Sequence, residues 1–304
     1  GYKIAPGAGT QVGVDDPPMD MRVLLDENFW GALFIEEAWD WQATMMQPVG
    51  GMDRIPYAFA RALGPIVQYS SPVTEIRKTA KGVRVSYTQG GATKQVEAAY
   101  CIIAVPFSIL KKIPNDLSAP FKKAVDESTM GGAYKIAWES RRFWEEDYNI
   151  YGGISYLMQG PSPVWYPSSR LMHPTGVVVS GYTDELDIPS FYKLSLAEKF
   201  EASRASVEKI HPGHGKELKN PVFCGWSRVP WNEGSWIRSY GGGQSGYDTI
   251  IQADGPIYFA GDTASHIVGW QEGAADSARR AVGMISDKVK AARLSGAATG
   301  VVQG

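Results

Sequence analysis

The chain has 304 residues, 44% of them hydrophobic and 20% charged, with a formal net charge of -2. That is enough apolar material for a sizeable core in two lobes, and the near-neutral balance gives no electrostatic reason to expect nucleic acid or an anionic membrane as partner. No apolar run approaches a membrane span, no signal-peptide pattern opens the chain, and two cysteines, Cys101 and Cys224, are too few for a disulfide framework.

Residues 1–19, rich in Gly and Pro, read as a surface arm or linker. Residues 20–48 carry helical spacing through Leu24, Leu25, Trp30, Leu33, Phe34 and Trp41, with Glu36, Glu37 and Asp40 as a solvated face. A helix is predicted over 52–63 and a set of strands over 65–104, with a hairpin turn at Thr88-Gln89-Gly90-Gly91. The apolar run Cys101-Ile102-Ile103-Ala104-Val105 suits a strand buried on both faces. From residue 116 the pattern gives a helix, a strand around Lys135, strands at 164–166 and 177–182, and a helix through 195–210. A short strand, Ile257-Tyr258-Phe259, then leads to Gly261-Asp262 and a closing helix over 271–293, with Ala275, Ala278, Val282 and Ile285 on its apolar face. Both cysteines sit in strand-like apolar runs and read as core. The fold class expected is mixed α/β: residues 49–112 with 245–293 as one lobe, 113–244 as a second lobe inserted in it, and 294–304 as a tail.

The most informative stretch is Pro256-Ile257-Tyr258-Phe259-Ala260-Gly261-Asp262 followed by Gly269-Trp270-Gln271-Glu272-Gly273-Ala274. Gly261 lets backbone approach a ligand, Asp262 offers a carboxylate beyond the strand's carboxyl end, and Gly273-Ala274 open a helix whose N–H groups favour negative charge. This pairing resembles the flavin amine oxidase family, and within it the L-amino-acid oxidase branch. Two further stretches carry the same resemblance, in the family's order. One is Gly50-Gly51-Met52-Asp53-Arg54-Ile55-Pro56 with Ser71-Pro72-Val73-Thr74-Glu75-Ile76; the other is Tyr134-Lys135-Ile136 leading to Arg142-Phe143-Trp144-Glu145-Glu146-Asp147.

The resemblance implies FAD as cofactor, held by Val73 at its adenine end and by Gly261, Asp262, Gly269, Trp270, Gln271, Gly273 and Ala274 elsewhere. It implies that Lys135 holds a water against flavin N5, although on the residues alone a lysine in an alternating strand is more simply a solvent-facing one. It places Trp236 and Trp270 as facing rings before the flavin, where the plain alternative is packing, since most of the 10 tryptophans must be structural. Tyr182 matches a tyrosine that binds the substrate carboxylate, the Gly269 carbonyl accepts the substrate amine, and Trp39 borders the pocket. Ile35 stands where venom-type members carry a pocket histidine, which removes one general base.

One family element is missing from the sequence. The fingerprint Gly-x-Gly-x-x-Gly between a strand and a helix, which binds the pyrophosphate, has no counterpart here. Gly7-Ala8-Gly9-Thr10-Gln11-Val12-Gly13 has the wrong spacing and runs into Pro17-Pro18. Gly241-Gly242-Gly243-Gln244-Ser245-Gly246 matches by letter, yet no buried strand is read before it and no helix after it. The expectation is therefore a carboxyl-terminal portion of a larger, proteolytically cut oxidase, associated with a complementary chain and forming an oligomer. The paired histidines His211 and His214 flank a Pro-Gly turn without further ligands, so no metal is expected. His266 reads as a local packing residue. The expected reaction is oxidation of an L-amino acid by oxygen to a 2-oxo acid, ammonia and hydrogen peroxide. Monoamine or polyamine oxidation is the first alternative and a non-catalytic assembly fragment the second. The compartment stays open, secretion being one option.

Overall fold

The chain divides into residues 1–55 and residues 56–304, and the computed structural model describes residues 2–4, 6, 7, 9, 11–26, 46–157, 159–184 and 189–294. Trp30, Leu33, Phe34, Ile35, Glu36, Glu37, Trp39, Asp40 and Trp41 lie outside the described residues.

In the first unit the segment read as an arm contains a small hairpin: β1 (Tyr2–Ile4) pairs antiparallel with β2 (Val14–Asp15), all five residues exposed. A helix comes next at Met21–Asp26. At the Gly50-Gly51 motif both glycines have positive φ, 97° and 116°, and the Arg54 N–H donates to the Gly51 carbonyl, so the glycines make the tight entry into the helix Arg54–Leu63.

The second unit holds two cores. Strands β3 (Val73–Thr79), β4 (Gly82–Gln89) and β5 (Ala92–Ala98) form an antiparallel meander. Its β4–β5 turn sits at Gly90-Gly91, both at positive φ, as a two-residue hairpin requires. After it, β6 (Cys101–Ile103) leads to a helical turn at Phe107–Leu110 and the helix Ala119–Asp126. The first core joins Ile76, Val83, Ile103, Phe107, Leu110, Phe121 and Val125, and the Phe121 ring stacks on Phe259 at 5.8 Å.

The second core rests on a five-stranded antiparallel sheet. Next along the chain come β7 (Thr129–Met130), β8 (Ala133–Arg141), β9 (Ile154–Ser155), β10 (Val164–Trp165), β11 (Thr175–Asp184) and β12 (Lys219–Gly225); all but β7 join the sheet, in the order β12-β8-β11-β10-β9. One face of β8, Tyr134, Ile136 and Trp138, is fully covered, and the helix Leu196–Ile210 supplies Val207 to the same core. That helix begins with a capping box in which the Glu198 N–H donates to Ser195 Oγ and the Ser195 N–H to Glu198 Oε2. It buries Ser203 and Ser206 besides Val207. Small residues let it lie close on the sheet, where Trp138 Nε1 donates to Ser203 Oγ at 2.9 Å and Ser180 Oγ to the Ser203 carbonyl at 2.9 Å.

The Arg142-to-Asp147 motif ties this region together. Arg142 and Glu145, 1% and 5% exposed, form a buried ion pair, and Glu145 also accepts the Met172 N–H at 2.9 Å. Arg141 meets Glu146, Asp147 and Glu217 on the surface side.

The chain then passes through β13 (Ile237–Ser239), which pairs with β7, to β14 (Ile257–Phe259), which runs parallel to β6. The last described element is the helix Gln271–Leu294.

Three sequence expectations need correction. A helix, Gln244–Ile250, does come after Gly241-Gly242-Gly243, although the short strand β13 before it is exposed at Arg238 and Ser239 and is not a buried strand. Gly241 and Gly246 are explained by packing: a Cβ on Gly241 would sit 2.0 Å from the Lys123 carbonyl oxygen, and one on Gly246 2.2 Å from that of Gly241. The closing helix buries Gly273, Ser277 and Ala281, while Ala275, Ala278 and Val282 are exposed. Small residues win that face because a Gly273 Cβ would lie 2.2 Å from the Ile267 carbonyl oxygen and Ser277 Oγ accepts the Gly261 N–H at 2.9 Å. Cys101 and Cys224 are half-buried rather than core residues.

Candidate active site

The open face of the five-stranded sheet carries the candidate chemistry. On β8, Lys135 points away from the packed side, with Cys224 of β12 and Tyr182 of β11 directly opposite it on the two neighbouring strands. Directly opposed residues of antiparallel strands share a face. Tyr182 reaches that face through a bulge. Val179 pairs with Ala137 and Tyr182 with Lys135, so two residues, Ser180 and Gly181, oppose the single residue Ile136. The extra residue re-aims the side chains after it, and Gly181 takes φ 115°, which a side chain would resist. Tyr182 therefore lies within a strand that continues to Asp184 and does not end it.

Lys135 Nζ lies 4.4 Å from the Tyr182 ring centroid and 5.4 Å from that of Trp165. The Tyr182 ring in turn meets Trp236 edge-on at 6.4 Å, and a Cβ added to Gly269 would lie 3.7 Å from Trp236 Cβ, so the two residues are neighbours. A run of neighbouring residues thus links Lys135, Tyr182, Trp236 and Gly269. Burial pulls the Lys135 amine below its usual range, the Cys224 thiol opposing this slightly, and burial raises the Tyr182 phenol, which stays protonated as a donor.

Beyond Gly269 the backbone forms a ledge. Gly269 has φ 82°, and its N–H donates to Asp262 Oδ2 at 3.1 Å. Burial raises the Asp262 carboxyl, against the N–H bonds from Gly269 and Thr263 that favour its charged form. The carboxylate thus fastens the turn that presents Gly269, in addition to any role toward a ligand. Gly269, Gln271 and Glu272 are exposed, and the helix they open is 24 residues long. It starts at Gln271, as the expected span 271–293 has it, so Gly273 and Ala274 lie inside its first turn, and the Ala274 N–H is already bonded to the Trp270 carbonyl at 3.3 Å. The Trp270 N–H is likewise engaged, by the Ile267 carbonyl at 3.4 Å.

Val73 opens β3, packs against the first core, and is not in this run. Trp39 lies outside the described residues. His211 and His214 are engaged internally: His211 Nε2 is 2.6 Å from the Tyr166 hydroxyl, and the His214 ring stacks on Phe143 at 4.4 Å. Among the described residues no group of three or more His, Cys, Asp or Glu is placed to hold a metal, and no helix is long and apolar enough to cross a membrane. Sequence reasoning passed over Trp165 and Cys224 as site residues. Both strands were visible in the hydrophobic pattern, but their partners were not.

A model of the family described as flavin containing amine oxidoreductase matches residues 25–285. The chain belongs to that family. Its curated relatives include the flavin-dependent L-tryptophan oxidase RebO of Lentzea aerocolonigenes, 25% identical over 77% of this chain and 51% of that protein. The L-amino-acid oxidase of Echis ocellatus is 28% identical over 73% of this chain and 45% of its own length. Among solved structures, a putrescine oxidase bound to putrescine aligns with TM-score 0.68 and 23% identity over 78% of this chain and 53% of its own. The cyclohexylamine oxidase of Brevibacterium oxydans aligns with TM-score 0.67 and 17% identity, again over 53% of its length. The chain spans about half the length of these relatives.

FAD is the family's cofactor, and the residues present fit it. The open ledge at Gly269–Glu272, the positive end of a long helix, suits the electron-rich edge of a flavin. Gly269 is held at positive φ, which a side chain would resist, and a Cβ there would only touch Trp236, at 3.7 Å.

Proposed function

We propose that the chain is the substrate-facing portion of an FAD-dependent L-amino-acid oxidase, which converts an L-amino acid and oxygen to a 2-oxo acid, ammonia and hydrogen peroxide. The observation that carries this reading is the run from Lys135 through Tyr182 and Trp236 to Gly269. Bound FAD supplies the hydride acceptor and the route for electrons to oxygen. Each of the chain's groups then has a task. The Tyr182 hydroxyl, kept protonated by burial, donates to the substrate carboxylate. The Gly269 carbonyl accepts from the amine, and Trp236 with Trp270 confines the α-carbon, which is catalysis by positioning. The Lys135 ammonium places positive charge where oxygen gains electrons.

The reading includes a complementary stretch of polypeptide that carries the dinucleotide fingerprint. The parallel pair β6–β14 supports it, since two strands make an incomplete parallel sheet. So do Ile102 at 37% and Val282 at 56% exposure, which leave apolar surface on that lobe uncovered.

Rapid-mixing kinetics of the holoprotein test the assignment. Lys135→Met is expected to slow reoxidation by oxygen on the order of 100-fold, about 2.7 kcal/mol, and to leave reduction by substrate within a few fold. Equal losses in both half-reactions would remove Lys135 from the oxygen step. A peroxide screen of amino acids beside their decarboxylated amines decides the substrate class, with faster turnover of the amines overturning the amino-acid reading.

A further inference from the structure

The geometry points to Trp165 as a positioning residue. We propose that its indole and the Tyr182 ring form a two-ring platform that fixes the Lys135 ammonium on the open face of the sheet. The inference rests on the proposed role of Lys135 for its consequence, and on geometry alone for its content.

Trp165 belongs to β10, two strands away from β8, and pairs with Val179 of β11, which itself pairs with Ala137. It therefore lies diagonally across the sheet from Lys135, and only the length of the lysine stem brings the two together. Nζ stands 5.4 Å from the Trp165 centroid and 4.4 Å from that of Tyr182, both within cation–π reach. The two rings are 6.1 Å apart and inclined by 28°, so one surface serves both contacts.

The bulge at Ser180-Gly181 is what makes this possible, because a regular β11 would turn Tyr182 to the other face. Among the side chains that the structure describes, the titratable groups facing Lys135 are the Cys224 thiol on β12 and the Tyr182 phenol on β11. The thiol is itself held above its usual range by burial, so it contributes little negative charge near neutral pH. An ammonium partly out of water gains from the ring faces that it meets. They also restrict a side chain that otherwise has four rotatable bonds.

The test measures the proton affinity of Lys135 in the holoprotein without substrate or turnover. Competitive acetylation of lysines with acetic anhydride, read by peptide mass spectrometry across pH, gives a labelling midpoint for Lys135. Trp165→Leu is expected to lower that midpoint by about half to one pH unit, roughly 3- to 10-fold in the protonation constant. Trp165→Phe, which keeps a weaker ring, falls between Leu and the native residue. An unchanged midpoint in Trp165→Leu overturns the platform, as does a Phe variant that behaves like Leu.

Should Trp165→Leu fail to fold, the native protein still decides. After reductive 13C-methylation, the lysine methyl signal that disappears in Lys135→Met is expected upfield of the others through the ring currents, and a signal at the ordinary position sinks the proposal. A shifted midpoint alongside native reoxidation in Lys135→Met would keep the platform and discard the proposed role of Lys135, so the two failures are distinguishable.

Discussion

The two faces of β8 divide the work of this chain between them. Tyr134, Ile136 and Trp138 are 0%, 0% and 1% exposed and pack into the second core. Lys135 and Ala137, on the other face, are half-buried, and Glu139 is exposed. One strand, with side chains alternating at a period of two, thus carries stability on one face and candidate chemistry on the other. Residues adjacent in sequence should therefore answer to different assays.

The sharpest way to break that division is to substitute neighbours. Trp138→Ala removes a buried ring that stacks edge-on with Phe200 at 5.7 Å, sits 4.5 Å from the Arg204 guanidinium and donates to Ser203. It is expected to cost about 3–5 kcal/mol. Lys135→Met, three positions earlier on the opposite face, should move stability by less than about 0.5 kcal/mol. Urea unfolding of both variants checks the contrast, and comparable losses would mean that the open face is structural as well.

A second measurement sharpens the packed side through pH. His211 is 2% exposed, and burial, reinforced by nearby His214, lowers its pKa from 6.5 to about 4. A histidine with a depressed folded pKa binds its proton more weakly in the folded chain than in the unfolded one. Its stabilising effect is complete above pH 6.5 and is lost as pH falls toward 4. The loss should be on the order of 2–3 kcal/mol across that window. His211→Leu is expected to flatten this part of the stability profile. A profile equally steep in the variant would assign the acid sensitivity elsewhere.

Much of the architecture was readable because its signals are local. The Gly90-Gly91 hairpin and the alternation around Lys135 each sit within a few residues, and the family motifs are short runs. The features that escaped depend on partners distant in sequence. Gln244–Ile250 contains Ser, Gly, Asp and Thr, a poor helix composition, and is held by Gly241, whose N–H donates to the Ala124 carbonyl at 3.0 Å. The buried face of the closing helix was misread because Gly273 and Ser277 carry little hydrophobicity; closeness to Ile267 and Gly261 selects that face. Trp165 was visible as a strand residue, but its position beside Lys135 is set by the order of three strands.

The smallest expected effect falls at the point where the two faces exchange roles. At Gly181 the bulge moves Tyr182 from the packed side to the open one, and a Cβ there would stand 3.1 Å from both Tyr134 Cε2 and Pro161 Cβ. Gly181→Ala should cost about 1–2 kcal/mol, through positive φ and this crowding, which a thermal melt can resolve. The more telling readout is functional. If the bulge exists to aim Tyr182, the variant raises KM for the amino acid beyond what its stability loss explains and also shifts the Lys135 labelling midpoint downward, since one wall of the platform has turned away. A variant that loses stability while both of those stay native would show that the bulge serves only the strand, and the division between the faces would no longer depend on Gly181.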